Sequence, residues 1–143
     1  MKKEVQITIK SDIKTEDNRD NIELTVNGTA YTKDNCYYLC YKESDESGFG
    51  DSSVIMKFKG KDSFVMTRNG ASSSQLRVEL NKRNLCSYAT PYGSIMIGIY
   101  GTKIDTDFKN DGNADMIVEY SIDADMALLS ENKLHINIRE CKN

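Results

Sequence analysis

Two charged residues fall where a β-strand would place apolar side chains. Glu43 ends an alternating run that includes Leu39 and Tyr41, and Arg68 ends another that includes Phe64. In an up-and-down arrangement the third and fifth strands run in the same direction, so their ends share one rim, ~10 Å apart. Long side chains can converge over that distance. An arginine there could bind the carboxylate or phosphate of a small anionic or amphiphilic molecule through paired hydrogen bonds.

Tyrosines extend this candidate site at the mouth of a predicted barrel. Tyr92 enters the rim at the start of a strand, and Tyr41 and Tyr120 occupy inward positions lower down. A concave apolar pocket with a few convergent polar groups is typical of small-molecule sites. We therefore predict a small-molecule binding module with the candidate ligand-binding residues Arg68, Glu43, Tyr41, Tyr92 and Tyr120. Its expected cavity is lined by Tyr41, Met66, Arg68, Val118 and Tyr120.

A second interpretation of the same charged residues stays open. Charged groups that face inward must be paired or solvated, so Glu43 and Arg68 could pair with each other and plug the end of the barrel. The protein would then be a non-catalytic scaffold or a homo-oligomerising interaction protein with a packed interior. The strand patterns do not decide between a filled barrel and a hollow one.

No catalytic or metal-binding set can be assembled from the motifs. The single histidine, His135, lies on the polar phase of its strand, which leaves no Ser-His-Asp arrangement. The acidic run from 105 to 115 fails the register of a calcium loop, because Lys109 takes a ligand position and Val118 that of the closing glutamate. The cysteines lack zinc-site spacing. We predict no metal and no cofactor, and an enzyme is the least favoured of the three functional classes.

The distribution of charge excludes one class of partner and suggests another. The net charge is −3, which argues against a dedicated nucleic-acid binder because neutralisation of phosphates dominates that affinity. Residues 57–83 hold seven Lys/Arg against two acidic residues, whereas residues 101–131 hold eight Asp/Glu against two Lys. We expect a basic side and an acidic side. The basic side could meet an acidic partner or the acidic side of another copy.

Alternation of apolar and polar residues predicts the elements that must position these groups. No segment has helical periodicity over three turns, and roughly nine or ten strands follow one another through short connections. We predict a single domain, residues 1–143, that is an all-β, closed and mostly antiparallel β-barrel, since closure removes exposed sheet edges. The longest apolar run, Tyr92–Ile104, is predicted to be a long, curved central strand, in which Gly98 and Gly101 mark a bend, a bulge or a close backbone approach.

Three local expectations follow from weaker signals. The run from Ser11 to Asn21 is too charged to pack and is predicted to connect two strands. The Asn27-Gly28 pair is interpreted as a bulge within one long second strand rather than as a hairpin turn. The segment from Asp125 to Glu131 is predicted to be a connection, with room for a helical turn.

The compartment is predicted from what the chain lacks. No apolar run approaches the ~20 residues of a membrane helix, and no apolar leader follows the basic N-terminus, so we expect a cytoplasmic protein with no membrane association. The four cysteines are expected to be free thiols in that reducing compartment.

Four short motifs occur in order along nearly the whole chain: Tyr38-Leu39-Cys40-Tyr41-Lys42-Glu43, Met66-Thr67-Arg68-Asn69-Gly70, Tyr92-Gly93-Ser94 and Val118-Glu119-Tyr120. Together they resemble the YwiB-like family of small uncharacterised bacterial proteins. The resemblance implies a barrel of the lipocalin or calycin type with no established activity. It supplies no agreed catalytic residues, so none is carried over to this chain.

Overall fold

The computed structural model of the protein describes residues 2–43, 51–70, 74–90 (backbone alone for 88–90), 92–109, 112–125 and 127–141. Ten β-strands make up nearly all of this part of the chain, and none of it is helical. The strands are β1 Lys3–Lys14, β2 Arg19–Lys33, β3 Cys36–Glu43, β4 Ser52–Lys59, β5 Ser63–Gly70, β6 Ser74–Glu79, β7 Arg83–Thr90, β8 Gly93–Phe108, β9 Ala114–Ala124 and β10 Ala127–Glu140. Within the described ranges no helix could cross a membrane.

The strands form one antiparallel sheet in the order β6-β5-β4-β3-β2-β1-β10-β9-β8-β7. Successive strands pair from β1 to β6 and from β7 to β10, and β1 pairs with β10 over ten positions, from Val5↔Glu140 to Lys14↔Glu131. The two terminal strands therefore meet in the middle of the sheet. The two ends of the sheet are mid-chain strands that curl towards each other, so the predicted antiparallel barrel is confirmed in a nearly closed form.

The seam between β6 and β7 is closed at the end where β6 leads into β7. Leu80 forms a parallel bridge with Gly101 of β8, and the Asn81 amide donates a hydrogen bond of 2.9 Å to the Gly101 carbonyl. A Cβ at Gly101 would lie 2.5 Å from the carbonyl oxygen of Glu79, and the register of β8 with β9 shifts between residues 101 and 103. The bulge and the close backbone approach predicted for Gly101 are both confirmed.

The predicted central position of the Tyr92–Ile104 strand is wrong. This strand, β8, is the longest in the sheet, but it lies beside β7 next to the seam. Because β1 and β10 pair in the middle of the sheet, the mid-chain strands lie towards its two ends. Alternation in the sequence indicates which side chains share a face of a strand, but not which strands pair with it. Only the predicted position of this strand in the sheet is therefore wrong.

Three local predictions are also wrong. The charged run forms strand rather than connection, because β1 continues to Lys14 and β2 begins at Arg19, with Arg19 Nη2 lying 2.6 Å from Asp12 Oδ2 on the exposed face. β2 is the single long strand predicted through Asn27-Gly28, but Gly28 is not a bulge, since β2 keeps continuous register with both neighbours; instead, a Cβ there would clash with the Cys40 carbonyl oxygen. After Asp125, β10 begins at Ala127, which leaves no room for a helical turn.

The core of the barrel consists of the inward-facing apolar side chains of nearly every strand. Its largest fully buried side chains are Phe58, Phe64, Ile7, Leu39, Met56, Met116, Ile136, Ile138, Val5, Val54, Val78 and Val118. The rings of Phe58 and Phe64, which face each other across β4 and β5, have centroids 4.9 Å apart. Burial of each such side chain contributes about 1.5–3 kcal/mol, so the barrel is held mainly by this interior.

Candidate functional site

Glu43 and Arg68 meet at one end of the barrel. Arg68 Nε donates to Glu43 Oε1 at 2.5 Å and Nη2 donates to Oε2 at 3.4 Å, while Nη1 lies 3.3 Å from Ser74 Oγ. The side chains are only 3% (Glu43) and 13% (Arg68) exposed. The predicted convergence is thus present, and it takes the form of the alternative interpretation, in which the two charges satisfy each other. We call this end of the barrel the ion-pair end.

The tyrosines of the predicted site lie in different surroundings. Tyr41 is 6% exposed in β3; its burial, and then the charge of Glu43, raise the pKa of its hydroxyl to about 12, while Arg68 acts in the opposite direction. Burial likewise raises the pKa of Tyr120, in β9, to about 12. Both hydroxyls are therefore neutral donors at physiological pH. Tyr92 lies at the turn between β7 and β8, on the ion-pair end, and its side chain is fully exposed.

The apolar residues predicted to line a cavity belong to the packed interior. Tyr41 and Val118 are members of the core cluster, and Met66 and Tyr120 pack against it. These side chains lie beneath the Arg68–Glu43 ion pair and pack the interior at that end of the barrel. The arrangement is the one expected of a filled barrel end.

The opposite end of the barrel is concave. The turn between β2 and β3, the end of β4 and the end of β8 surround a cavity of about 410 Å³. Its lining consists of Thr32, Lys33, Asp34, Asn35, Cys36, Tyr37, Phe58, Gly60, Thr106 and Phe108. A smaller hollow of about 210 Å³ shares Thr32, Tyr37 and Phe108 with it. We call this end the aromatic end, after Tyr37, Phe58 and Phe108.

Three rings shape the cavity at the aromatic end. The Tyr37 ring lies 6.4 Å from Phe58 and 5.0 Å from Phe108 between centroids, both at tilted angles that suit aromatic pairs. Phe58 is 2% exposed and forms the floor, whereas Phe108 is 54% exposed and forms a wall at the rim. Burial raises the pKa of Tyr37 to about 12, so its hydroxyl stays protonated and can donate a hydrogen bond.

A tight turn positions one side of this cavity. Asp34 and Asn35 have φ of 53° and 65°, and Lys33 pairs with Cys36 across them, which is the geometry of a two-residue hairpin. Asn and Asp tolerate positive φ better than other residues with a side chain. The turn places Cys36 and Tyr37 at the start of β3, with Cys36 buried and Lys33 exposed at the rim.

Part of this cavity was visible in the sequence. Tyr37 and Phe58 both occupy inward phases, and they are cross-strand partners in β3 and β4. They lie at the ends of those strands opposite Glu43, where the charged residues of the cavity, Lys33 and Asp34, belong to the turn. Phe108 had no usable signal, because it lies beyond Ile104, where the apolar alternation stops although the strand continues.

The outer wall carries the single histidine, which lies in a small polar cluster. His135 is partly exposed on that wall, as predicted, and its Nε2 lies 3.3 Å from Asp115 Oδ1, to which Asn137 Nδ2 also donates at 2.8 Å. The Asn137 bond first, and then His135, lower the pKa of Asp115. In the ranges that the structure describes, no three His, Cys, Asp or Glu side chains group closely enough to hold a metal ion.

Comparison with known proteins identifies a family and a solved structure with a similar fold. The sequence profile of a domain of unknown function, DUF1934, matches residues 7–136. The chain belongs to the DUF1934 family. A crystal structure of the YwiB protein from Bacillus subtilis superposes with a TM-score of 0.81 at 20% identity, covering 99% of this chain and 94% of that one. At that identity the likeness establishes the YwiB-like fold of this DUF1934 protein, and no curated protein matches the sequence.

Proposed function

We propose that this DUF1934 protein is a non-enzymatic binding module that holds a small amphiphilic, anionic molecule at the aromatic end of its barrel. The observation that carries the proposal is the contrast between the two ends. A buried ion pair occupies one end, whereas the other keeps a cavity of about 410 Å³ over an aromatic floor. That volume lies within the range of small-molecule sites, and such sites combine apolar walls with a few polar groups.

The cavity suits a ligand with an apolar body. Phe58 closes the floor, and the rings of Tyr37 and Phe108 stand on its walls. Hydroxyl groups of Thr32 and Thr106 and the backbone of the β2–β3 turn supply hydrogen-bonding groups around this apolar surface. A ring or a short acyl chain could enter against the aromatic side chains while its polar end stays at the rim.

The rim suits a negative head group. Lys33 lines the cavity from the exposed side of the turn, where its ammonium can approach a carboxylate, sulfonate or phosphate. Arg68, the anion-binding residue predicted from the sequence, is engaged by Glu43 at the other end. We therefore assign anion recognition to the aromatic end.

Binding without chemistry is proposed from the composition of the lining. The ten lining residues include a lysine, an aspartate, a thiol and hydroxyl groups, but neither histidine nor glutamate. The carboxylate, Asp34, is exposed on the turn, and Cys36 is buried. This set offers recognition rather than a paired base and nucleophile.

Anilinonaphthalene sulfonate is a suitable probe, since it joins an aromatic body to an anionic head. The probe is excited at wavelengths where the aromatic residues of the protein do not absorb, so its fluorescence can be followed with little background. Phe108→Ala should weaken binding about fivefold to tenfold by removing an apolar wall. Leu128→Ala is the matched control, because Leu128 is 61% exposed on another strand. Equal effects of the two substitutions would contradict the proposal.

A scaffold or homo-oligomer is the second candidate, and the packed interior beneath the ion-pair end favours it. Native mass spectrometry of protein purified gently from its host separates the two. Extra mass that is lost on denaturation supports the binding module, whereas a bare oligomer supports the scaffold.

A further inference from the structure

The outer wall of β4, β5 and β6 carries a groove that is separate from the aromatic end. Small side chains of Ser63, Val65 and Thr67 project from β5, while longer side chains project from the strands on either side. The flanking strands stand two strand spacings apart, ~10 Å. The result is a trough along β5 of about 540 Å³.

Positive charges converge on the middle of this trough. Lys57, Val65 and Arg77 are direct cross-strand partners, so the lysine and the arginine face each other over the valine. Lys59 lies one row further along β4, opposite Ser63. Within the described part of the chain, none of these three cations lies within 4.0 Å of a carboxylate, whereas Glu79 at the end of the groove is 3.8 Å from Lys82.

An aromatic stack holds one wall of the groove. Tyr31 and Tyr38 stack with centroids 4.8 Å apart and planes 8° from parallel. Lys57 Nζ lies 5.9 Å from the Tyr38 centroid, and Lys2 Nζ lies 5.5 Å from that of Tyr31. In strand order Tyr38 stands between Tyr31 and Lys57, so both faces of its ring are covered. A nucleic-acid base would find no free stacking face here.

We propose that this groove binds an extended acidic segment of a partner protein. Side chains on one face of an extended chain repeat every ~7 Å, which matches the spacing of Lys57 and Lys59 along β4. A carboxylate seated over Val65 would lie between Lys57 and Arg77, and the next carboxylate on the same face of the segment would lie beside Lys59. The trough is shaped along a strand, which suits a linear ligand better than a compact one.

A second copy of this chain fits the groove less well. Three residues of its acidic side already have cationic partners within the molecule, since Asp105 pairs with Lys61, Asp107 with Lys109, and Asp123 with Arg83. Breaking these pairs would offset the gain from new ones. The partner is therefore a different, acidic polypeptide.

Fluorescence anisotropy with a short labelled peptide of alternating glutamate and valine tests the inference on the full chain. We expect saturable binding that weakens as salt is raised. Arg77→Gln and Lys57→Gln should each raise the dissociation constant roughly threefold, and the double variant roughly tenfold. Arg77→Lys, which keeps the charge, should lose less. Lys10→Gln is the matched control, because Lys10 is an exposed lysine on the outer face of β1.

Four outcomes would overturn the inference. They are a failure of the peptide to bind, an equal loss in the Lys10→Gln protein, equal binding of the same peptide with lysine in place of glutamate, and tighter binding of oligothymidine than of the peptide. The last result would assign the groove to nucleic acid. Loss of peptide binding in the groove variants together with unchanged binding of anilinonaphthalene sulfonate would support two separate sites.

Discussion

The guanidinium of Arg68 donates to both carboxylate oxygens of Glu43, at 2.5 and 3.4 Å, in a setting where the carboxylate is 3% exposed. A carboxylate so far from water depends on its partner for solvation. The pair thus makes the ion-pair end a structural feature of the barrel. It also explains why inward-facing charges in the sequence need not indicate a ligand.

Arg68→Met should destabilise the protein by about 3–5 kcal/mol, because it leaves the buried carboxylate of Glu43 uncompensated. Urea unfolding measures the loss as a lower midpoint. The control is the double variant Glu43→Met with Arg68→Met, which removes both charges and should recover most of the stability. If the single variant unfolds no more easily than the double variant, the pair is not coupled.

Gly101→Ala should open the seam of the barrel. A Cβ at that position would lie 2.5 Å from the Glu79 carbonyl oxygen, and backbone atoms cannot rotate away as a side chain can. We expect a loss of about 1–3 kcal/mol in the free energy of unfolding, the usual cost of overpacking. Faster hydrogen exchange of the Asn81 amide, which donates to Gly101, would localise the damage to the seam. Unchanged exchange there would argue against this account.

Stability should fall in strongly alkaline solution as buried tyrosines ionise. Folding raises the pKa of Tyr37, Tyr41 and Tyr120 from 10.0 to about 12. The folded state therefore binds more protons above pH 10, so stability is fully present below that pH and is lost as the pH rises towards 12. Each tyrosine contributes a slope of at most about 1.4 kcal/mol per pH unit. The pH dependence of stability can be measured from urea midpoints between pH 9 and pH 12, for the wild type and for Tyr41→Phe. If stability falls equally steeply with pH in both proteins, Tyr41 does not contribute.

A β-branched residue in the β2–β3 turn should lower the stability of the protein. Asn35 has φ of 65°, a conformation that costs most residues roughly 1–2 kcal/mol and costs glycine nothing. Asn35→Val should therefore lower the free energy of unfolding by about that amount, whereas Asn35→Gly should leave it nearly unchanged. Thermal unfolding of the two variants is the measurement. A valine variant as stable as the glycine variant would mean that the turn adopts another geometry.

Local sequence pattern predicts which side chains of a strand face the interior. Leu39, Met56 and Val118 are buried as their alternation indicates, because a pleated strand sends successive side chains to opposite faces. Strand ends were less well predicted. β1 and β2 continue through charged residues such as Asp12 and Arg19, since the outer face of a barrel accepts charge and the hydrogen-bonded ladder does not depend on it.

The bonding of Glu43 to Arg68 lies beyond local pattern for the same reason. Charge on an apolar phase is unusual and marks Glu43 and Arg68 as candidates, yet alternation does not indicate whether two such groups bind each other or a ligand. The cavity at the aromatic end depends on Phe108 meeting Tyr37, 71 positions apart in the chain. No local pattern predicts such a contact.

By itself, the sequence determined the strand content, the inward face of most strands, the antiparallel barrel and the shared end of Glu43 and Arg68, because these follow from side-chain alternation and short connections. The tertiary structure alone decided the pairing of β1 with β10, the seam at Gly101, the bonding of Arg68 to Glu43 and the cavity over Phe58. These depend on which distant strands become neighbours. That choice is made by burial over the whole sheet and not by any one stretch of residues.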